Sequence, residues 1–341
     1  MEKEKKIFDA MQEDIENANI PDSEKAKLMK NLLHLKEQKI NLMITGATGC
    51  GKSSTINALF DMEVAKVGVG VDPETMEITK YELDNLILWD SPGLGDGKEA
   101  DNRHAKNIIK KLNELDENNN LLIDLVLVIL DGSTRDLGTS YELINNVIIP
   151  NLGENKKDRI LVAINQADAA MKGRHWDYNT NKPDGELEKF LEEKIVSVKN
   201  RIKEGTGIDI EPIYYSAGYK ENNEKQCQPY NLSKLLSYIV KFTPKEKRLS
   251  FIENINRNEE MWKDNDDLKD YQMEIKKSFG ETVSECATKG ADIGGEIGAV
   301  FGRAGEIIGR SIGKAFGAAA GFIKVIFRRR RWYYVGKSKY I

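Results

Sequence analysis

The chain is poor in the features that stabilise small secreted domains, and its overall charge is weak. Its 341 residues include three cysteines, Cys50, Cys227 and Cys286, which are too few and too scattered for a disulfide framework or a zinc site. The formal net charge is only −4, so overall charge does not indicate a nucleic-acid partner. The N-terminal stretch is rich in charge and lacks the apolar core of a signal peptide. We therefore expect a cytoplasmic protein in a reduced setting.

What the chain does contain is a regular alternation of apolar and amphipathic segments. The apolar stretches predict strands at 40–45, 76–83, 86–90, 122–130, 158–164 and 210–215. The amphipathic stretches predict helices at 52–60, 100–115, 138–149, 185–203 and 231–242. Only Asp84 and Asn85 separate the second and third strands, which favours an antiparallel hairpin. We predict an α/β fold with a mostly parallel sheet, one antiparallel strand and helices on both faces.

The stretch GATGCGKSS, from Gly46 to Ser54, follows the first predicted strand and begins a predicted helix. It matches the pattern G-x-x-x-x-G-K-S, in which glycines let backbone N–H groups surround phosphate oxygens at a helix N-terminus. Lys52 is expected to reach the β- and γ-phosphates, and the Ser53 hydroxyl to ligate Mg²⁺. The predicted phosphate-binding residues are Gly46, Ala47, Thr48, Gly49, Cys50, Gly51, Lys52, Ser53 and Ser54.

A second motif ends the third predicted strand. In LILWDSPGLGDG, Asp90 is followed three residues later by Gly93. A carboxylate at this position can hold Mg²⁺ through water, and the Gly93 N–H can sense a γ-phosphate. The D-x-x-G spacing alone is a weak signal. Here it is a strong one, because it lies at a strand end and about 40 residues after a phosphate loop.

Two further stretches predict recognition of the base. ILVAINQAD places Asn165 and Asp168 after the fifth strand, and IYYSAGY places Ser216 and Ala217 after the sixth. A carboxylate can accept from the N1–H and the exocyclic amine of guanine, whereas adenine offers no such pair of donors. A backbone N–H at Ser216 or Ala217 is positioned to meet guanine O6. Open α/β sheets bind ligands at the carboxyl ends of their strands, where all four motifs lie.

With these motifs in this order, residues 40–242 resemble the Era-like branch of the translation-factor-like GTPases. The resemblance is strongest to bacterial GTPases of the YfjP type and looser to the interferon-inducible immunity-related GTPases. It implies GTP hydrolysis to GDP, dependence on Mg²⁺ and switch loops ordered by the γ-phosphate. It also implies catalytic roles for Lys52, Thr75 and Gly93, and metal-binding roles for Ser53, Thr75 and Asp90.

The chain departs from the family pattern at three positions. Gln166 stands where the base motif usually has lysine, which removes an aliphatic stem over the base. The switch threonine is either Thr75 or Thr79, and we favour Thr75 because it lies just before the strand. Leu94 follows Gly93, where Ras-type enzymes have the glutamine that orients water. A leucine cannot orient water. Hydrolysis therefore uses another group of this chain, uses a residue of a partner, or is slow.

Few residues are candidates for the missing catalytic group. Arg135 follows the fourth strand and is a candidate arginine finger, in cis or across a homodimer of the GTPase domain. A solvated loop arginine is the alternative, and we expect His104 to be a surface histidine rather than a base. The polar insertion at 171–185 carries Trp176, which either belongs to a partner-binding loop or simply packs.

Outside residues 39–243, the predicted GTPase domain, the chain divides into three segments. Residues 1–38 are predicted to form two helices broken at Pro21, with Asp22 or Ser23 as the second N-cap. Residues 244–288 are predicted to be a helical linker, and residues 289–341 a glycine-rich amphipathic helix with a basic tail.

The glycines of this last segment recur at steps of four with one step of three. They are Gly294, Gly298, Gly302, Gly305, Gly309, Gly313, Gly317 and Gly321. On a helix they form one flank beside a charged stripe and an apolar one. Each glycine costs helix stability, and close packing through small residues is the usual compensation. Within this segment the longest uncharged run, Ala315 to Ile323, is too short to span a membrane.

The basic tail after residue 322 carries seven Lys and Arg and no acidic residue, a sum of +7. Its aromatic residues and arginines suit an anionic membrane surface and also single-stranded RNA. A soluble helical hairpin with a solvated tail is the third reading. Two functions follow as alternatives: a GTPase switch controlling membrane association or self-assembly, and a nucleotide-gated module acting on ribosomal RNA with slow turnover.

Overall fold

The computed structural model of the chain describes residues 6–60, 78–95, 97–220 and 227–288. The predicted switch threonine Thr75 and the whole glycine-rich segment with its basic tail lie outside these ranges.

The strands of the described part are β1 (Ile40–Gly46), β2 (Thr79–Leu83), β3 (Leu86–Asp90), β4 (Leu125–Asp131), β5 (Ile160–Asn165), β6 (Trp176–Asp177), β7 (Lys182–Pro183) and β8 (Ile213–Tyr214). Six of them form one sheet in the order β2-β3-β1-β4-β5-β8, while β6 and β7 pair separately. The pair β2–β3 is antiparallel and the other neighbours in the large sheet are parallel. The predicted α/β fold with one antiparallel strand is confirmed.

The helices are α1 (Ile7–Glu16), α2 (Asp22–Glu37), α3 (Lys52–Phe60), α4 (Lys98–Leu112), α5 (Gly138–Glu142), α6 (Gly185–Thr206), α7 (Leu232–Phe242) and α8 (Tyr271–Thr288). After α5 the chain continues as a π-helical turn (Leu143–Ile148) and a 3₁₀ turn (Ile149–Asn151). The predicted helix 138–149 is thus a regular α-helix only up to Glu142, and it ends before Pro150, which lacks the N–H that a regular helix needs.

The sheet separates two hydrophobic cores. Side chains alternate across a strand, so the neighbours Leu127 and Val128 of β4 lie in different cores. The first core receives residues from α1, α2, α3, α7 and α8, and the second from α4, α6 and the π-helical turn. Burial on both faces explains the apolar runs of β1, β4 and β5.

The start of α2 differs from the sequence prediction. The helix begins at Asp22 with Pro21 in the N-cap position, and no side chain caps it. The carbonyl oxygen of Pro21 accepts from the N–H groups of Glu24 and Lys25 at 2.9 and 3.1 Å. Neither Asp22 nor Ser23 is therefore the N-cap, because the fixed φ of proline already sets the entry into the helix.

Residues 244–286 pack onto the first core, beside the six-stranded sheet. Lys247 Nζ lies 2.7 Å from Asp124 Oδ1, Phe251 stacks on Phe60 with ring centroids 6.3 Å apart, and Trp262 is buried in the first core. The described C-terminal helix is thus held by the same hydrophobic core as the N-terminal helices. Among the described residues, no helix combines the length and apolar character needed to cross a bilayer.

Candidate functional site

The predicted phosphate-binding residues begin at Gly46, the last residue of β1, and continue through the turn after it to Ser54 in the first turn of α3. A Cβ at Gly46 would lie 2.2 Å from the carbonyl oxygen of Ile129, and a Cβ at Gly51 would lie 2.2 Å from Nδ2 of Asn165. The φ of Gly51 is +91°, a conformation that residues with a side chain rarely adopt. Both positions therefore require glycine, which leaves the main chain of the loop free to face a ligand.

Lys52 lies close over this loop. Its Nζ donates to the carbonyl oxygens of Gly46 and Ala47, both at 3.3 Å. These bonds are long, whereas bonds from an ammonium to phosphate oxygens are shorter and stronger. The lysine is therefore placed to exchange weak main-chain contacts for phosphate contacts.

The side chains beneath the loop are buried. Cys50 is fully buried, and burial raises the pKa of its thiol to about 11, so the thiol is neutral at physiological pH. The Thr55 hydroxyl lies 2.8 Å from the Gly51 carbonyl oxygen and 2.6 Å from the Tyr215 hydroxyl. Sequence reasoning did not find this contact, which joins α3 to the strand end before Ser216.

The D-x-x-G loop lies directly against the phosphate loop. A Cβ at Gly93 would lie 2.3 Å from Thr48 Oγ1 and 2.5 Å from Thr48 N. The N–H of Thr48 donates to the carbonyl oxygen of Leu94 at 3.0 Å. Two motifs that are about 40 residues apart in sequence therefore share a main-chain hydrogen bond.

Asp90 lies at the carboxyl end of β3 with the chemistry of a metal ligand. Burial raises the pKa of its carboxyl to about 6, against the opposing effect of the Lys52 cation. Its Oδ1 is buried and has no hydrogen-bond partner among the described residues. A buried, unpartnered carboxylate oxygen and the exposed Ser53 hydroxyl suit Mg²⁺, which prefers oxygen ligands.

Leu94 turns into the second core, where it is 5% exposed. Because the Leu94 side chain is buried in this core, it cannot occupy the position of a glutamine that orients water.

His104 is also buried, at 1% exposure, so the expectation of a surface histidine was wrong. The spacing of His104 with Ile108 and Leu112 places all three on the inward face of α4, and this is the signal that the sequence reasoning missed.

The base motif is bonded to the phosphate loop. Asn165 Nδ2 donates to the carbonyl oxygen of Cys50 at 2.9 Å, and Asn165 Oδ1 accepts from the Ala217 N–H at 2.9 Å. The next residue, Gln166, donates from Nε2 to the Gly49 carbonyl oxygen at 2.8 Å. The glutamine that replaces the usual lysine thus contacts the phosphate loop.

The predicted base-contacting main chain follows β8. Ser216 and Tyr230 exchange two backbone hydrogen bonds at 2.9 Å, and Ser216 and Ala217 are both buried. The pairing across the loop holds Ala217 beside Asn165. The structure therefore brings these two predicted residues next to the base motif.

Asp168 lies half-buried in the 3₁₀ turn (Ala167–Gly173) that follows β5. The insertion after it folds back onto the protein: Trp176 is 6% exposed and packs edge-on against Tyr230, with ring centroids 5.3 Å apart. Asn181 Nδ2 donates to Asp264 Oδ2 at 2.8 Å. Of the two readings of Trp176, packing is the one that the structure supports.

The chain is similar to known proteins over part of its length. A family model described as 50S ribosome-binding GTPase matches residues 41–166. Uncharacterized protein YkfA of Escherichia coli (strain K12) is 29% identical over 157 residues, 45% of this chain and 50% of the relative. Uncharacterized protein YfjP of the same organism is 28% identical over 148 residues, 42% of this chain and 47% of the relative. The chain spans about half the length of these curated relatives.

Among solved structures, Toc33 from Arabidopsis thaliana in complex with GDP and Mg²⁺ is 18% identical. The alignment covers 65% of this chain and 87% of that chain, with a TM-score of 0.40. The sequence relatives confirm the resemblance to YfjP-type proteins. Over residues 41–166 the chain therefore matches the family described as 50S ribosome-binding GTPase, and its fold is that of a P-loop GTPase.

Proposed function

We propose that this protein is a GTP-binding and GTP-hydrolysing switch whose nucleotide state controls its C-terminal glycine-rich region. The observation that carries the proposal is the direct bonding of three motifs at the carboxyl edge of the sheet. The phosphate loop bonds to the D-x-x-G loop through Thr48 and Leu94 and to the base motif through Asn165 and Gln166. A change at the γ-phosphate therefore acts on contacts that also hold the base motif.

Each residue has a role that follows from its place. Backbone N–H groups of the phosphate loop and the Lys52 ammonium bind the phosphates, and Asp168 accepts from guanine. Ser53 and Asp90 would hold Mg²⁺, with Thr75 as the third protein ligand. When bound, Mg²⁺ neutralises charge that develops on the phosphate oxygens.

The proposal is tested by measuring GTP turnover against protein concentration, with and without anionic liposomes. A switch of this kind shows Mg²⁺-dependent GTP turnover that changes with protein concentration or with the addition of anionic liposomes. Failure to bind GTP or GDP, measured with fluorescent mant-nucleotides, would contradict the proposed function as a whole.

Arg135 supports a mode of hydrolysis that requires two copies of the domain. It is exposed on the loop after β4, and this loop is held firmly beside the base motif. Lys194 Nζ donates to the carbonyl oxygens of Gly132 and Thr134 at 2.7 and 2.6 Å, and the Gly132 N–H donates to the Asn165 carbonyl oxygen at 2.7 Å. We propose that a homodimer places this arginine in the partner's phosphate site, since Leu94 cannot orient water.

Specific GTPase activity of the wild type is therefore expected to rise with protein concentration, and Arg135→Ala to remove that rise. An arginine finger contributes about 10³-fold or more to turnover in well-studied GTPases, so a loss of at least about tenfold is expected at high concentration. Lys157→Ala, which removes an exposed cation from the opposite edge of the sheet, is the control. A fast rate that is independent of concentration and unchanged in Arg135→Ala would reject the trans finger.

The controlled element is proposed from sequence, because residues 289–341 lie outside the described part of the chain. The described helix α8 ends at Thr288, where the glycine-rich segment begins. Its glycine flank suits close helix packing, and its basic tail suits an anionic surface. We propose membrane association or self-assembly as the output of the switch.

Replacing Arg328, Arg329, Arg330 and Arg331 with glutamine is expected to weaken binding to anionic vesicles, most strongly at low salt. Each cation near an anionic surface contributes about 1 kcal/mol, and salt screens this attraction. Flotation with phosphatidylserine-containing vesicles measures the effect, and vesicles of neutral lipid are the control. Flotation that is equal for both proteins at low salt, or retention of the wild type by RNA alone, would contradict the membrane proposal.

A further inference from the structure

Helix α4 holds the D-x-x-G loop through two side chains. His104 Nδ1 lies 2.9 Å from the carbonyl oxygen of Gly93, and the Gly95 N–H donates to Asp101 Oδ1 at 2.8 Å. A carbonyl oxygen accepts hydrogen bonds and does not donate them, so Nδ1 carries the hydrogen in this contact. The first turns of α4 thus bind two of the three residues from Gly93 to Gly95.

The phosphate loop holds the same three residues. The Leu94 carbonyl oxygen accepts from the Thr48 N–H at 3.0 Å, and the Cα of Gly93 leaves no room for a side chain beside Thr48. Consecutive peptide groups are therefore fixed from α4 and from the phosphate loop. The Gly93 main chain cannot rotate without breaking one of these contacts.

His104 is a polar residue at an apolar position of α4. It is 1% exposed and lies on the apolar face of α4 with Ile108 and Leu112. Buried polar groups destabilise a fold unless they are hydrogen-bonded, and an aliphatic side chain would pack there without that requirement. The hydrogen bond to the Gly93 carbonyl oxygen satisfies Nδ1 of this buried imidazole.

We propose that His104 is a positioning residue that holds the Gly93 main chain in the orientation that reads a γ-phosphate. The inference rests on the proposed GTP-binding function and adds to it the residue that sets discrimination between GTP and GDP. The Gly93 N–H meets a phosphate only when a γ-phosphate is present. His104 therefore affects the affinity for GTP and leaves the affinity for GDP almost unchanged.

The matched pair His104→Leu and His104→Asn tests this, because the two side chains have the same number of heavy atoms and nearly the same shape. Asparagine places its Nδ2 where the ring Nδ1 lies and keeps the donor, whereas leucine removes it. We expect His104→Leu to weaken binding of mant-GMPPNP about tenfold and binding of mant-GDP less than about twofold, since one hydrogen bond to a positioned group is lost. His104→Asn is expected to restore mant-GMPPNP binding to within about threefold of the wild type.

Equal weakening of both nucleotides in His104→Leu, no weakening of either, or failure of His104→Asn to restore binding would each overturn the inference. If His104→Leu does not fold, as judged by its melting curve, His104→Gln replaces it. Its longer side chain places the amide where Nε2 lies and so withdraws the donor from Gly93. A wild type that binds neither nucleotide would instead contradict the proposed function.

Discussion

Lys52→Ala is expected to abolish high-affinity GTP binding. In the structure the Lys52 ammonium donates to two carbonyl oxygens of its own loop, both at 3.3 Å. With GTP bound, it is expected to donate to the β- and γ-phosphates. Charge-assisted hydrogen bonds contribute about 1.5–3 kcal/mol each, so removal of two is expected to weaken binding by about 100-fold or more.

Fluorescence titration with mant-GDP and mant-GMPPNP measures this loss. Lys30→Ala, which removes an exposed cation from α2, is the matched control and is expected to bind like the wild type. A circular dichroism melt distinguishes lost binding from lost folding. Normal GTP hydrolysis by Lys52→Ala would show that the loop from Gly46 to Ser54 is not the phosphate site.

Asp168→Asn is expected to change the preferred base from guanine to xanthine. The Asp168 carboxylate accepts from two N–H donors of guanine, and the variant replaces one acceptor oxygen with an NH₂ donor. Xanthine has a carbonyl oxygen at the position of the guanine amine and therefore suits the new donor. Leaving a buried polar group unpaired costs about 1–3 kcal/mol, which corresponds to a loss of GTP affinity of about 5- to 150-fold.

Competition of GTP, XTP and ATP against bound mant-GDP measures the change in preference. Asp158→Asn, on the exposed 3₁₀ turn (Lys156–Asp158) before β5, is the control with the same charge change. If the wild type binds ATP as tightly as GTP, Asp168 does not select guanine. If Asp168→Asn loses GTP without gaining XTP, the residue supports the loop but does not contact the base.

The fold was predictable from local patterns in the sequence. Apolar runs such as the one that became β1, with GATGCGKSS directly after it, specify a strand, a turn and a helix within a few residues of one another. Asp84 and Asn85 likewise predict the turn between β2 and β3, which the structure shows. The boundaries shifted by a few residues, because the last hydrogen bonds of a strand depend on its neighbours and not on its own residues.

The contacts of the site were less predictable. The sequence places Asn165 at a strand end, but only the folded chain shows that its side chain joins Cys50 to Ala217. It was likewise not apparent that Gln166 would reach Gly49. The residues in these contacts are 52 to 117 positions apart in the sequence, so no local sequence pattern predicts the contacts.

The sequence by itself determined the class of fold, the order of the motifs and the residue types that a nucleotide site needs. Each of these follows from the conformational preferences and chemistry of neighbouring residues. The tertiary structure decided which side chains lie inside and what they bond: it buried His104 against Gly93, turned Leu94 into the core and packed Trp176 on Tyr230. Burial depends on what the rest of the chain places against a residue, because a hydrophobic core forms between elements that are distant in sequence.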